Sequence, residues 1–175
     1  MSSTDPYRPS PIRMITTLAL CTALVFGLQV ALAAIPNGET VTLFLILFTL
    51  YFRWRTLYII YAFAILEGLT YGFSVWWIVY LYIWTILWAL VMLLGRRRRP
   101  AWFWAVVAAC YGLAFGALCS PPDFLIGGAA LAFAKWVSGI PIDHAHCVFN
   151  LVIVLTLFPP LDRLFTKLRA RGMLP

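Results

Sequence analysis

The densest group of chemically capable side chains is the run Asp143-His144-Ala145-His146-Cys147-Val148-Phe149-Asn150. On a helix Asp143, His146 and Asn150 stand at i, i+3 and i+7, so a carboxylate, an imidazole and a carboxamide share one face within about 10 Å along the axis. Such a face can hold a small ligand by hydrogen bonds, and in an apolar chain it must turn inward. His144 points about 100° away, which makes a two-histidine metal site from this segment geometrically poor. Asp143 follows Pro141 closely enough to serve as a helix-starting cap. Two further acids belong with this group. Glu67 lies inside an apolar run, where a carboxylate costs about 2.5 to 3.5 kcal/mol to insert into a bilayer, so it must face the protein interior with a partner or a ligand. Glu39 follows Pro36-Asn37-Gly38 and reads as a solvated loop residue or an acid at a helix N-terminus.

The elements that carry these groups are set by composition. Charged residues make up 11% of the 175 and apolar ones 63%, more than a soluble domain of this size can bury. The chain reads as an all-α polytopic membrane protein of one domain, with a short N-terminal segment over residues 1–13, a helical bundle over 14–158 and a basic tail over 159–175. A helix needs about 20 residues to cross the hydrocarbon. Apolar segments run from Met14 to Ala34, Val41 to Phe52, Leu57 to Phe73, Val75 to Leu94, Trp102 to Cys119, Phe124 to Val137 and Asp143 to Leu157. The second is too short for a lone lipid-exposed span unless protein surrounds it.

Twelve of the thirteen basic residues fall in four clusters between these segments: Arg8 and Arg13, Arg53 and Arg55, Arg96 to Arg99, and Arg163, Lys167, Arg169 and Arg171. Lys and Arg are retained on the cytoplasmic side, so all four clusters should face the cytoplasm. Six crossings place all twelve inside and only Lys135 outside, with both termini cytoplasmic. Seven crossings would scatter them. The stretch from Pro121 to Pro141 is therefore expected to be an outer excursion, a re-entrant or surface helix, tolerated at membrane depth only where protein or a water-filled cavity surrounds its ends. The net charge of +7 follows from this threading and does not point to nucleic acid. The opening resembles a signal peptide in having arginines before an apolar run ending Ala31-Leu32-Ala33, but the run is long and more membrane segments follow, so it reads as a retained helix.

Four cysteines, Cys21, Cys110, Cys119 and Cys147, have no close-spaced pair and read as small membrane hydrophobes. No metal or cofactor is expected. Small residues recur every fourth position at Ala19, Ala23, Gly27 and Ala31, which lays them on one face of the first helix, where another helix could approach closely. Gly68 with Gly72, and Gly112 with Gly116, repeat the spacing and read as internal contacts.

Taken in order, these features resemble the substrate-binding subunit, or S component, of the energy-coupling-factor vitamin transporters. The likeness runs through the small-residue stripe, the loop Ile35-Pro36-Asn37-Gly38-Glu39 and the short second helix. It continues through Glu67-Gly68 with Tyr71-Gly72, then Gly112 to Gly116, and ends in Ser138-Gly139-Ile140-Pro141-Ile142-Asp143-His144 with His146 and Asn150. The resemblance implies a six-helix protein of the bacterial plasma membrane that captures a vitamin-like compound from outside through its outer loops and helix ends. It also implies docking, through Ala19, Ala23 and Gly27, on a transmembrane coupling subunit driven by two ATPase subunits. The chain has no phosphate-binding glycine loop, so any ATP hydrolysis would belong to its partners, and the resemblance implies a binding subunit that is not itself an enzyme. The residues expected to meet the substrate are Asn37, Glu39, Glu67, Trp77, Lys135, Asp143, His146 and Asn150. Three acids there against one outer base favour a ligand with amine or hydrogen-bond-donor character, and Trp76, Trp77 and Trp136 could stack on a heterocycle.

A rival reading is enzymatic. His146 and Asn150 also resemble the final His-xxx-Asn element of the CAAX-type intramembrane proteases, but that family needs a paired-glutamate motif to activate water and no Glu-Glu pair is present. A channel or a purely structural subunit is a third possibility.

Overall fold

A computed structural model describes residues 10–34 and 39–174. It consists of α1 (Pro11–Leu32), α2 (Val41–Phe52), a 3-10 turn (Arg53–Arg55), α3 (Thr56–Tyr71), α4 (Val75–Leu94), α5 (Ala101–Leu113), α6 (Phe115–Cys119) and α7 (Pro121–Ala170), with no strand among the described residues. Four helical stretches are long and apolar enough to cross a membrane: α1, the run Val41–Tyr71, α4 and α7. The shorter α5 is apolar too. This is the build of an α-helical membrane protein.

Local chemistry explains the helix ends. Ser10 caps α1 by accepting the Arg13 N–H at 3.3 Å, and Pro11 supplies the preset backbone angle of a first helical turn. Arg53, the first residue of the 3-10 turn, takes a φ of 57° directly after α2, a left-handed conformation unfavourable for a side chain of this size. The indole N–H of Trp88 donates to its carbonyl at 3.1 Å and helps to hold it there. Gly72, with φ 87°, closes α3, where a residue with a β-carbon would be strained.

Aromatic polar tips join neighbouring helices through the backbone, satisfying groups that lipid could not. Trp77 donates to the Ala64 carbonyl at 2.7 Å, Tyr111 to that of Ile83 at 2.6 Å and Tyr82 to that of Leu118 at 2.9 Å. These contacts run α3 against α4 and α4 against α5 in opposite directions. Asn150 beside Ala108 and Asp143 beside Gly116 do the same for α5 and α7. The bundle thus has an arginine end, with Arg53, Arg55 and Arg96 to Arg99, and an opposite end carrying Glu39 and His146.

The core is built around α2. Ten of its twelve residues are buried, which answers how a helix of about 18 Å can sit in a bilayer core of about 30 Å: protein surrounds it. Phe48, Tyr51 and Phe52 meet Phe165 of α7 with ring centroids 5.2–6.3 Å apart.

Three boundaries differ from the sequence expectation. The stretch expected as an excursion between Pro121 and Pro141 breaks at Gly127-Gly128 and not at Pro141, and the tail after Pro159 continues the helix before it. Thus α7 runs through Pro141, Pro159 and Pro160, and its only non-helical residues are Gly127 and Gly128, where φ 72° at Gly128 needs the absent β-carbon. Each proline removes a hydrogen bond and presses on the preceding turn. Around Pro141 the helix is largely exposed, so a bend meets no obstacle, and on either side of Pro159-Pro160 the buried Phe158 and Phe165 anchor it. The expected Trp102 to Cys119 helix is also divided, at Ala114, into α5 and α6.

Candidate functional site

At the end of the bundle opposite the arginines, α7 turns one face inward. Asp143, His146 and Asn150 are 4%, 7% and 1% exposed, whereas His144 lies on the exposed side with its Nδ1 on the Ile140 carbonyl at 2.8 Å. The helical period accounts for the separation. Two glycines let α5 and α6 come close to that face. A β-carbon at Gly112 would stand 3.0 Å from the His146 carbonyl carbon and 3.1 Å from Asn150 Nδ2, and one at Gly116 would collide with the Asp143 carboxylate.

Asp143 does not start a helix. It sits well inside α7 and accepts the Gly116 N–H at 3.0 Å, so it caps the first turn of α6 across the helix interface. The break at Ala114 frees that N–H for it. Asn150 reaches the Ala108 carbonyl at 3.4 Å. His146 lies edge-on to Phe115 with centroids 5.0 Å apart and donates from Nε2 to Glu39 Oε1 at 2.9 Å.

Glu39 is therefore not a solvated loop residue. It is buried just ahead of α2, where it accepts the Thr42 backbone N–H at 2.9 Å and the Thr42 hydroxyl at 2.6 Å. Burial alone would push its carboxyl up, but the hydrogen bond and charge of His146, with the two bonds from Thr42, hold it below the usual carboxylate range. Part of its expected character survives, since it is an acid at a helix N-terminus.

Glu67 is 3% exposed on α3, and its Oε1 has no hydrogen-bond partner among the described residues. The Asp143 Oδ2 and Thr40 Oγ1 atoms are in the same condition. A buried acceptor left unsatisfied costs about 1 to 3 kcal/mol, more if charged, and Gln29 Oε1 near the end of α1 is a fourth unpartnered oxygen in the half of the bundle away from the arginines.

The remaining expected site residues lie elsewhere. Trp77 is taken up by α3: its N–H is bonded to Ala64, and its ring meets Phe73 edge-on at 4.9 Å over Gly68. Lys135 is paired with Asp123 across the Gly127-Gly128 turn, eleven residues before His146 on α7. Asn37 falls outside the described residues. Sequence reasoning missed Thr40, Thr42 and Phe115 as members of this cluster. The Glu39-Thr40-x-Thr42 spacing at the start of an apolar run was the available signal for the first two, because it is capping chemistry.

The stripe on α1 lies apart from all of this. Ala19, Ala23, Gly27 and Ala31 are exposed, and a β-carbon at Gly27 would meet nothing within 4 Å. Beside the stripe runs an apolar groove of about 470 Å³ between α1 and α3, lined by Met14, Leu18, Ala19, Thr22, Tyr58 and Ala62 among others.

No protein-family model matches this chain, and no curated protein or solved structure matches it either.

Proposed function

We propose that this chain is the substrate-specific component of an energy-coupling-factor-type importer, which captures a vitamin or related micronutrient outside a bacterial cell and passes it to an ATP-driven coupling module. In this reading α1 to α5 and α7 make six crossings of the plasma membrane, with both termini and the Arg96 to Arg99 loop in the cytoplasm. The outer part of α7, with Asp123 and Lys135, projects outside. The sidedness of the basic residues supports it, as does the alternation of helix directions.

The observation that carries the binding role is the set of unpartnered buried oxygens on Thr40, Glu67 and Asp143. They would be satisfied by a ligand that presents several hydrogen-bond donors, such as an amine or the N–H edge of a heterocycle, with the Glu39–His146 pair and Asn150 holding the walls in register. The exposed small-residue stripe and its groove supply the second half of the reading, a face on which the transmembrane coupling subunit could seat closely. Two ATPase subunits would complete the assembly, and this chain would perform no chemistry.

Topology is checked by impermeant thiol labelling of intact cells carrying Asn37→Cys, Asp123→Cys or Met173→Cys in a background lacking the native cysteines. Residues 37 and 123 should label, and labelling at 173 would refute the six-crossing arrangement. For the ligand, mass spectrometry of gently purified protein should identify a bound small molecule. His146→Ala and Asn150→Ala should then weaken its binding by roughly five- to 150-fold in calorimetry, the loss expected for one buried ligand-supporting hydrogen bond. Unchanged affinity in both variants, with melts showing intact protein, would move the binding site elsewhere.

A further inference from the structure

At the arginine end a cleft of about 530 Å³ opens between the end of α2, the turn after α4 and the last turns of α7. Five arginines line it, Arg96, Arg97, Arg98, Arg99 and Arg169, with the Arg99 guanidinium lying over the Phe103 ring at 4.9 Å. Its floor is apolar, with Leu50, Trp104 and Phe158, the last two buried. One carboxylate lines it, Asp162, and that group is engaged by another residue: the Tyr51 hydroxyl donates to Asp162 Oδ1 at 2.8 Å and lies 2.8 Å from the Thr166 hydroxyl. Among the described residues the ion pairs are Glu39 with His146 and Asp123 with Lys135, so none of the five arginines has a carboxylate within reach.

Retention of arginines on one side of a membrane requires only their number. It does not require that they surround a hollow, nor that the single acid in that hollow be tied to a tyrosine. Guanidinium groups match phosphate oxygens in geometry and charge, and several around one cavity would hold a group of more than one negative charge. The volume suits a group the size of a lipid headgroup or a small phosphorylated metabolite. The apolar floor beside the cationic rim suits a phosphate that carries hydrocarbon.

We infer that this cleft binds a phosphate-bearing anion, held by Arg96, Arg98 and Arg169 at the membrane boundary. The source is either the headgroup of an anionic phospholipid or a free phosphorylated compound, and the inference is independent of what the opposite end of the bundle carries.

The test uses the full chain with two probes. One is reconstitution into nanodiscs of phosphatidylcholine with and without phosphatidylglycerol, read by thermal melting and by the lipid retained in native mass spectrometry. The other is titration of detergent-solubilised protein with sodium pyrophosphate at constant ionic strength. Saturable stabilisation by phosphatidylglycerol alone identifies the lipid, and stabilisation by pyrophosphate identifies a site open to soluble phosphates. The triple variant Arg96→Gln, Arg98→Gln, Arg169→Gln should weaken the effective probe at least about tenfold, as expected from loss of charge-assisted bonds. The matched triple Arg163→Gln, Lys167→Gln, Arg171→Gln removes as much charge from residues outside the cleft and should stay within about twofold. Thr166→Trp, which fills the cleft without removing charge, should weaken the same probe and covers the case in which the first triple fails to fold. Stabilisation by neither probe, or equal losses in the two triples, would overturn the inference.

Discussion

Gly112 and Gly116 on α5 and α6, and Ala19, Ala23, Gly27 and Ala31 on α1, repeat at the same four-residue interval, yet the chain surrounds them in opposite ways. The first pair is pressed against α7, one glycine beneath the His146 backbone and the other beneath the Asp143 carboxylate. The stripe on α1 is exposed along its length, and a β-carbon at its Gly27 would meet nothing within 4 Å. In water an exposed apolar helix would be anomalous, but in a bilayer lipid tails solvate it, so a small-residue face can remain open at little cost. Spacing therefore says that close approach is possible. Only the fold says whether the approaching partner is already present.

The largest effect should come from filling the closed stripe. Gly112→Leu must force α5 away from the α7 backbone, which cannot yield as a flexible side chain would. We expect destabilisation of about 1 to 3 kcal/mol or more in detergent melts, with loss of ligand binding because the Asp143–Gly116 contact moves as well. The same substitution at Gly27 should shift stability by no more than about 0.5 kcal/mol. Equal losses at the two positions would mean that α1 is covered, and the contrast would disappear.

The smaller stability effect sharpens the contrast by a different measurement. Ala23→Trp with Gly27→Trp should leave melting and ligand binding near those of the unaltered protein, within about 0.5 kcal/mol, while cellular uptake of the ligand fails. Normal uptake with both tryptophans present would show that this face meets only lipid, and the docking proposal would fall.

Much of this is legible in the amino-acid sequence. The inward face of Asp143, His146 and Asn150 follows from the helical period alone, and the burial of α2 follows from its being too short to cross unaided. Glu39 was misjudged because its partner stands 107 residues away, and a local reading of Pro-Asn-Gly turn chemistry cannot see across that distance. The prolines misled for a related reason. Pro141 and Pro159-Pro160 weaken a helix locally, but whether they end it depends on what is buried on each side: Phe158 is buried before the pair and Phe165 after it is anchored by the rings of α2, a contact made in three dimensions. The turn at Gly127-Gly128 carried its own signal in the paired glycines, which the stronger proline cues overshadowed.

Because α7 does not break at those prolines, His146 and Arg169 belong to one rod about 35 Å long. Such a rod acts as a lever: a tilt of about 10° at one end displaces the other by about 6 Å. The polar cluster and the arginine cleft, which share no side chain, are thereby joined mechanically, and Pro159-Pro160 between them is where the lever has its give.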